Sequence, residues 1–190
     1  MRLFTALAPP LDVLHDLDAA CAPFRLARDD LRWTHLGAWH VTLAFLTEVS
    51  ELQLTRLMPR LERVARRHTA FSLSFAGAGA FPSAGRANVL WSGLGGDRRA
   101  LSELAASVSA AARRAGVPPP DDGRKYRPHV TLARCRAAVD VGPIVEALSG
   151  YQGQPWTAEE IVLIRSRLHD RPRYETLGTW KLRPVPPEKP

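Results

Sequence analysis

Cysteine is scarce in this 190-residue chain: there are two, Cys21 and Cys135, and neither has a closely spaced partner. That excludes a Cys-x-x-Cys zinc or redox motif and leaves two free, buried or half-buried thiols as the expectation. The six histidines are scattered and none shows the spacing of a helical His-Glu-x-x-His metal site, so no resident metal is expected. No Gly-x-Gly-x-x-Gly or P-loop opens any helical stretch, which argues against a doubly wound nucleotide-binding sheet and its cofactors. No apolar run approaches the roughly 20 residues of a membrane span. The apolar stretch Leu3 to Ala8 is too brief for a secretory leader and reads as a buried first strand. The expectation is a cytoplasmic protein with no membrane association. Lysine is rare beside arginine, yet the net charge is +7 and the sequence pI about 10.2. Such a balance favours polyanionic partners, although an Arg-, Ala-, Gly- and Pro-rich composition lowers its weight.

What remains is ordinary globular material, 45% hydrophobic and 24% charged, enough to bury a substantial core in one compact unit. After the first strand, Pro9-Pro10 leads into a helix carrying Leu11, Val13, Leu14, Leu17 and Ala20, which Pro23 is expected to stop. Ser50 to Gln53 forms a capping box for a second helix with Leu54, Leu57, Met58, Leu61 and Val64. Phe71 to Ala76 alternates as a half-buried strand, residues 77–85 read as a Gly/Ala/Pro loop, and Asn88 to Gly93 reads as a strand. Asp97 can cap a long Ala-rich helix that stops at Gly116. Asp121 to Arg127 reads as a charged loop. Ile144 to Leu148 gives a short helix, and Ile161 to Leu168 and Tyr174 to Leu182 give two strands joined by a polar turn around residues 170–173. The order implies an α+β fold: a bilobal molecule with two pseudo-symmetric, mostly antiparallel sheets backed by helices around a central cleft. Residues 1–183 form the single domain of two interleaved lobes, and 184–190 a C-terminal tail.

The pentapeptide His-Val-Thr-Leu-Ala occurs twice, from His40 and from His129, close to half the chain apart. Each copy reads as a strand. Alternation puts His40, Thr42 and Ala44 on one face and Val41, Leu43 and Phe45 on the other, with the same split at His129, Thr131 and Ala133. The apolar set packs under helices while the His-Thr face lines a cleft, with Ala keeping it open. Imidazoles titrate near neutrality, so one can serve as base and the other as acid on opposite sides of a phosphorus atom. The threonine hydroxyls can donate to non-bridging oxygens. Opening a cyclic phosphate needs this inventory and no metal. A single His-x-Thr strand would be read as an ordinary polar face; an identical pair is not.

With these residues the chain resembles the 2H phosphoesterase superfamily, and within it the RNA 2′,3′-cyclic phosphodiesterases, also called 2′-5′ RNA ligases. The resemblance covers nearly the whole chain in five ordered blocks: Arg2 to Pro10, Trp33 with His40 to Leu46, Phe81-Pro82 with Val89 to Leu94, Arg127 to Arg134, and Ser166 to Leu168 with Tyr174 to Leu177. It implies hydrolysis of a terminal 2′,3′-cyclic phosphate on RNA to a 2′-phosphate. In the ligation direction it implies joining of a 5′-hydroxyl to the cyclic phosphate through a 2′-5′ bond. It further implies that His40 is the general acid toward the ribose 3′ oxygen and His129 the base for water; the pseudo-symmetry of the motifs admits the opposite polarity. Thr42 and Thr131 are then the phosphate binders. Further candidates for substrate contact are Arg134 for the phosphate, Lys125, Tyr126 and Arg127 on the approach to His129, Trp39 as a stacking surface, and Tyr174. Trp91 and Phe45 are stacking candidates too, with the parity of Phe45 favouring the core. His15, His35, His68 and His169 read as surface residues. The expected protein is a monomer without cofactor, acting on RNA ends or nucleotides bearing a 2′,3′-cyclic phosphate. A phosphodiesterase of small or ADP-ribose-derived cyclic phosphates, and a non-catalytic RNA-end-binding module, are the rival readings.

Overall fold

The computed structural model describes residues 1–118, 125–167 and 174–186. The turn expected around residues 170–173, His169 and part of the 121–127 loop lie outside the described residues. Nine strands and four α-helices are described, in the order β1 (Leu3–Leu7), α1 (Leu11–Ala27), β2 (Leu31–Trp33), a 3₁₀ turn (Leu36–Ala38), β3 (Val41–Leu46), α2 (Glu51–Ala65), β4 (Phe71–Ser83), β5 (Arg86–Gly96), α3 (Arg98–Arg114), β6 (Val130–Val139), α4 (Gly142–Ala147), β7 (Trp156–Ala158), β8 (Glu160–Ser166) and β9 (Tyr174–Lys181). They make two sheets, β3-β1-β8-β9 and β2-β6-β5-β4-β7. Every strand pair within them is antiparallel. The fold is therefore α+β and bilobal, with the first His-Thr strand in one sheet and the second in the other.

Local chemistry explains three of the helix ends. The Ser50 hydroxyl accepts from the Gln53 N–H, and the Gln53 side chain accepts from the Ser50 N–H, completing the capping box. Asp97 caps α3 through the Ala100 N–H. That helix ends in a Schellman motif: Gly116 has φ +81°, its N–H donates to the Arg113 carbonyl, and the Val117 N–H donates to the Ala112 carbonyl. Two expectations fail. Helix α1 runs through Pro23 to Ala27, because its buried side continues past the proline with Phe24 packed against the core. Residues 77–83 are strand, not loop: β4 extends to Ser83 and pairs with β5 along its length. Gly79 is what permits this, since a Cβ there would lie 2.3 Å from the Trp91 indole that covers it.

One apolar cluster unites the layers. Val13, Leu17 and Cys21 of α1, Leu57 and Leu61 of α2, and Leu104 and Val108 of α3 pack with strand residues of both sheets, including Leu7, Val41, Phe75, Leu90 and Leu132. Phe4, Ala6 and Val162 form a separate small cluster, joined by Ile164 and Tyr174, on the opposite face of the first sheet. Cys21 is buried and Cys135 half-buried, both as free thiols. Burial pushes the Cys21 thiol up to about 12, so it stays protonated. No described helix is long and apolar enough to cross a membrane.

Because the Trp91 ring occupies the space above Gly79, Gly79→Ala is expected to force that ring aside and cost about 1–3 kcal/mol, the usual range for overpacking. Urea unfolding of the variant against the native protein measures it.

Candidate functional site

Each His-Thr motif holds one extra residue against its partner strand. In the first, Ala6 of β1 pairs with Thr42 and Thr5 with Ala44, leaving Leu43 unpaired. In the second, Trp91 of β5 pairs with Thr131 and Leu90 with Ala133, leaving Leu132 unpaired. The same residue of the repeated word is bulged in both lobes. A bulge of this kind resets side-chain parity downstream. The consequence is visible in the registers. Phe45 pairs with Phe4, two residues from Ala6, and therefore lies on the face of Thr42. Arg134 pairs with Val89, two residues from Trp91, and lies on the face of Thr131.

Strict alternation is thus wrong from the fifth motif residue onward. Ala44 and Ala133 belong to the core, and no alanine holds the cleft open. Phe45 is 56% exposed rather than packed inside. The unpaired Leu43 and Leu132 anchor the bulges, both buried in the main cluster.

The motifs are also tied to one another. Strand β2, which leads to His40, pairs with β6: Trp33 lies opposite Ala133, and the Thr34 N–H donates to the Leu132 carbonyl at 2.8 Å. In return the Tyr126 hydroxyl, three residues before His129, donates to the Thr42 carbonyl at 2.9 Å. Each motif's lead-in segment therefore bonds to the other motif.

The two imidazoles are held alike. His129 Nδ1 lies 2.7 Å from the carbonyl of Arg127, two residues earlier. His40 makes the corresponding backbone hydrogen bond with Ala38, also two residues earlier. A carbonyl accepts only, so the His129 Nδ1 carries the proton and its Nε2 is left as the acceptor. Aromatic rings flank both. Phe4 stacks on His40 with centroids 4.5 Å apart, and Tyr174 meets it edge-on at 5.6 Å. Phe81 meets His129 edge-on at 5.1 Å, and Trp91 lies at 6.1 Å. Burial lowers the affinity of both rings for a proton, the chief cause in each case. It takes His40 down to about 4 against the partial opposition of the Ala38 carbonyl. In His129 the Arg127 carbonyl opposes the fall and the Arg134 guanidinium adds to it. Burial thus favours the neutral form of both rings in the free protein.

The other sequence candidates divide. Arg134 is exposed and close enough for its charge to act on His129. Tyr174 packs against His40 and Phe4. Tyr126 is a strap: its ring is 37% exposed, but its hydroxyl is enclosed on Thr42, and burial raises its pKa so that it remains a donor. Lys125 and Arg127 are exposed, and it is the main chain of Arg127 that meets His129. Trp39 is not available for stacking: it is 4% exposed within the core, its indole N–H without an acceptor among the described residues. His68 is half-buried rather than on the surface, bonded through Nε2 to the Ser107 hydroxyl at 2.9 Å. Phe4 and Phe81, the rings against the histidines, are not singled out by the sequence; their blocks are visible there but their register is not. A cavity of about 440 Å³ near the start of α1, with Asp12, Trp156, Glu159 and Glu160 in its wall, contains none of these residues. No group of three His, Cys, Asp or Glu side chains able to hold a metal ion occurs among the described residues.

A family model described as the 2′-5′ RNA ligase superfamily matches residues 15–170. An RNA 2′,3′-cyclic phosphodiesterase of Geobacillus stearothermophilus is 32% identical over 157 residues, 81% of this chain and 48% of that protein, so the chain spans about half of that relative. The enzyme of the same name from Thermus thermophilus is 31% identical over 192 residues, covering 96% of this chain and 91% of its own. Among solved structures, E. coli LigT complexed with 3′-AMP superposes with a TM-score of 0.76 at 26% identity, covering 95% of this chain and 97% of that one. The Thermus thermophilus protein TT0787 gives 0.74 at 26% identity, covering 97% and 99%.

The buried imidazole makes a pH prediction. Between pH 6.5 and about 4 the unfolded chain's His40 binds a proton that the native ring refuses, so stability falls as pH drops through that window. In NMR titrations the free protein's His40 ring is expected to show its midpoint near pH 4 and to move upward when inorganic phosphate is bound; a midpoint at or above 6.5 in the free protein would contradict the burial argument.

Proposed function

The chain belongs to the 2′-5′ RNA ligase superfamily, and we propose that it opens the terminal 2′,3′-cyclic phosphate of RNA to a 2′-phosphomonoester. The observation that carries this reading is the pair of bulged motifs, each presenting a neutral, carbonyl-oriented imidazole and a threonine, and each bonded to the other's lead-in segment. In the proposed reaction water attacks phosphorus opposite the 3′ oxygen. His129 takes the water proton, the bond from phosphorus to the 3′ oxygen breaks, and His40 protonates that oxygen as it leaves. Thr42 and Thr131 donate to the non-bridging oxygens, and the Arg134 guanidinium offsets their charge.

The acid must be charged before it can act, although its free ring is neutral. A docked phosphate anion supplies the opposite charge that favours the imidazolium. Substrate binding thus brings proton uptake with it, and the aromatic walls keep the ring from charging when the site is empty. The side-chain set supplies both proton transfers and the charge stabilisation, so the mechanism proposed is metal-independent. A 5′-hydroxyl in the place of water would give 2′-5′ joining by the same steps. The reading takes the enzyme as a cytoplasmic monomer acting on RNA ends. Small cyclic nucleotides are a second substrate class, favoured by the 3′-AMP in the similar E. coli LigT.

Incubating an RNA oligonucleotide bearing a 2′,3′-cyclic end is expected to yield the 2′-phosphate, undiminished by EDTA. His40→Ala and His129→Ala should each lose roughly 10²–10⁴-fold in rate, the range for removing one general acid or base. A 3′-phosphate product, or near-native rates in either variant, would reject the assigned roles. Tyr126→Phe, which frees the Thr42 carbonyl, should lower kcat with little change in KM, because it loosens the alignment of the two motifs.

A further inference from the structure

Strand β2 sets Arg32 directly opposite Arg134 in its antiparallel ladder with β6. Leu31 and Trp33, on either side of Arg32, pack into or against the core, as do Ala133 and Cys135 on either side of Arg134. Both arginines therefore stand on the other face of the sheet, the face of Thr131, and both are exposed. Like charges directly across a ladder are destabilising, so the fold gains nothing from this pairing. Nor is the repulsion relieved: among the described residues neither guanidinium has a carboxylate partner. Asp30, two residues before Arg32, is held on both oxygens by Arg28, at 2.7 and 2.8 Å. Exposed cations on helix faces are ordinary; two held in register beside the second motif need a reason. Arg134 is accounted for by the charge of the reacting phosphate, and its own charge acts on His129. Arg32 is not accounted for. It stands one strand further out, about 5 Å across the sheet from Arg134, which itself lies roughly 6–7 Å along β6 beyond Thr131.

We propose that Arg32, beside Arg134, binds the phosphodiester on the 5′ side of the terminal nucleotide. This rests on the reading of the site as a cyclic phosphodiesterase. A 2′,3′-cyclic phosphate carries one negative charge, and Arg134 meets it. Ribose and the bases are neutral, so the nearest further anion on an RNA end is the next backbone phosphate, one nucleotide along. An arginine fork matches two oxygens of such a group. Once it is bound, the repulsion between the two guanidiniums is screened by the anion they share. The phosphodiester is common to every sequence, so the contact holds RNA ends whatever their bases. A 2′,3′-cyclic mononucleotide lacks it. Arg32 is thus a specificity residue that separates RNA ends from mononucleotides. It touches the substrate away from the bond that breaks and takes no part in proton transfer.

The test compares adenosine 2′,3′-cyclic phosphate with its 5′-phosphorylated form, two substrates that differ only in the second phosphate. The native protein is expected to favour the 5′-phosphorylated substrate about tenfold in kcat/KM, the order expected of one charge-assisted contact. Arg32→Gln should bring that ratio close to one, with the change mainly in KM. Added salt should erode the native ratio and leave that of the variant where it is. The dinucleotide ApA with a cyclic end carries the phosphate as a diester, and its advantage over the mononucleotide should depend on Arg32 in the same way. A native ratio near one would overturn the inference, as would a ratio that Arg32→Gln leaves intact. Calorimetric binding of 2′-AMP against adenosine 2′,5′-bisphosphate gives a readout independent of turnover. If the native protein hydrolysed none of these substrates, the functional reading would fail. Tighter binding of the bisphosphate that Arg32→Gln abolishes would still support the second phosphate site, and equal affinities for the two ligands would remove it.

Discussion

A single unpaired leucine in each motif strand, Leu43 and Leu132, sets the geometry of the site. A regular strand carrying His-Val-Thr-Leu-Ala would alternate without interruption and send the residue after the alanine into the core. With one extra residue the strand keeps its two leading apolar side chains in the core and then turns the next outward position back toward the histidine face. The cost is a local break in the ladder, offset by burying the bulged leucine itself. Such irregularities are expected where a strand must re-aim a side chain. That the same residue is bulged in both lobes shows the two halves share a local solution as well as a local sequence.

The second constraint is electrostatic. Both histidines are half-buried among aromatic rings, and each is oriented by a carbonyl two residues before it. Burial alone makes them weak bases, because it disfavours the charged form. The carbonyl fixes ring orientation and returns part of the lost basicity. The remaining stabilisation is left for an anion to supply. On the proposed reading, a site built in this way is neutral when empty and charged when an anion occupies it. The reciprocal attachment of the lead-in segments, through Thr34 on Leu132 and Tyr126 on Thr42, keeps the two rings from drifting independently.

Much of this is readable without the fold. The four motif residues, the helix caps at Ser50 and Asp97 and the Gly116 stop follow from local rules that act over a few residues. What escapes is non-local. Nothing within β3 announces that Leu43 lacks a partner, since that depends on the register with β1, and so alternation alone puts Phe45 and Ala44 on the wrong faces. Residues 77–83 read as a loop because glycine and alanine are poor strand formers; the Trp91 ring over Gly79 is what makes a small residue necessary there. Pro23 does not end α1 because tertiary burial of Phe24 outweighs one lost helical hydrogen bond. Trp39 is an attractive stacking surface by type, and only its depth in the core removes it.

The claim on which the rest depends is that one phosphate sits between the two motifs. A crystal structure of the protein with 2′-AMP bound tests this directly. The account predicts a single phosphate accepting hydrogen bonds from Nε2 of His40 and Nε2 of His129, with the hydroxyls of Thr42 and Thr131 on its remaining oxygens. A phosphate bound to one histidine alone, or lodged away from both, would contradict it.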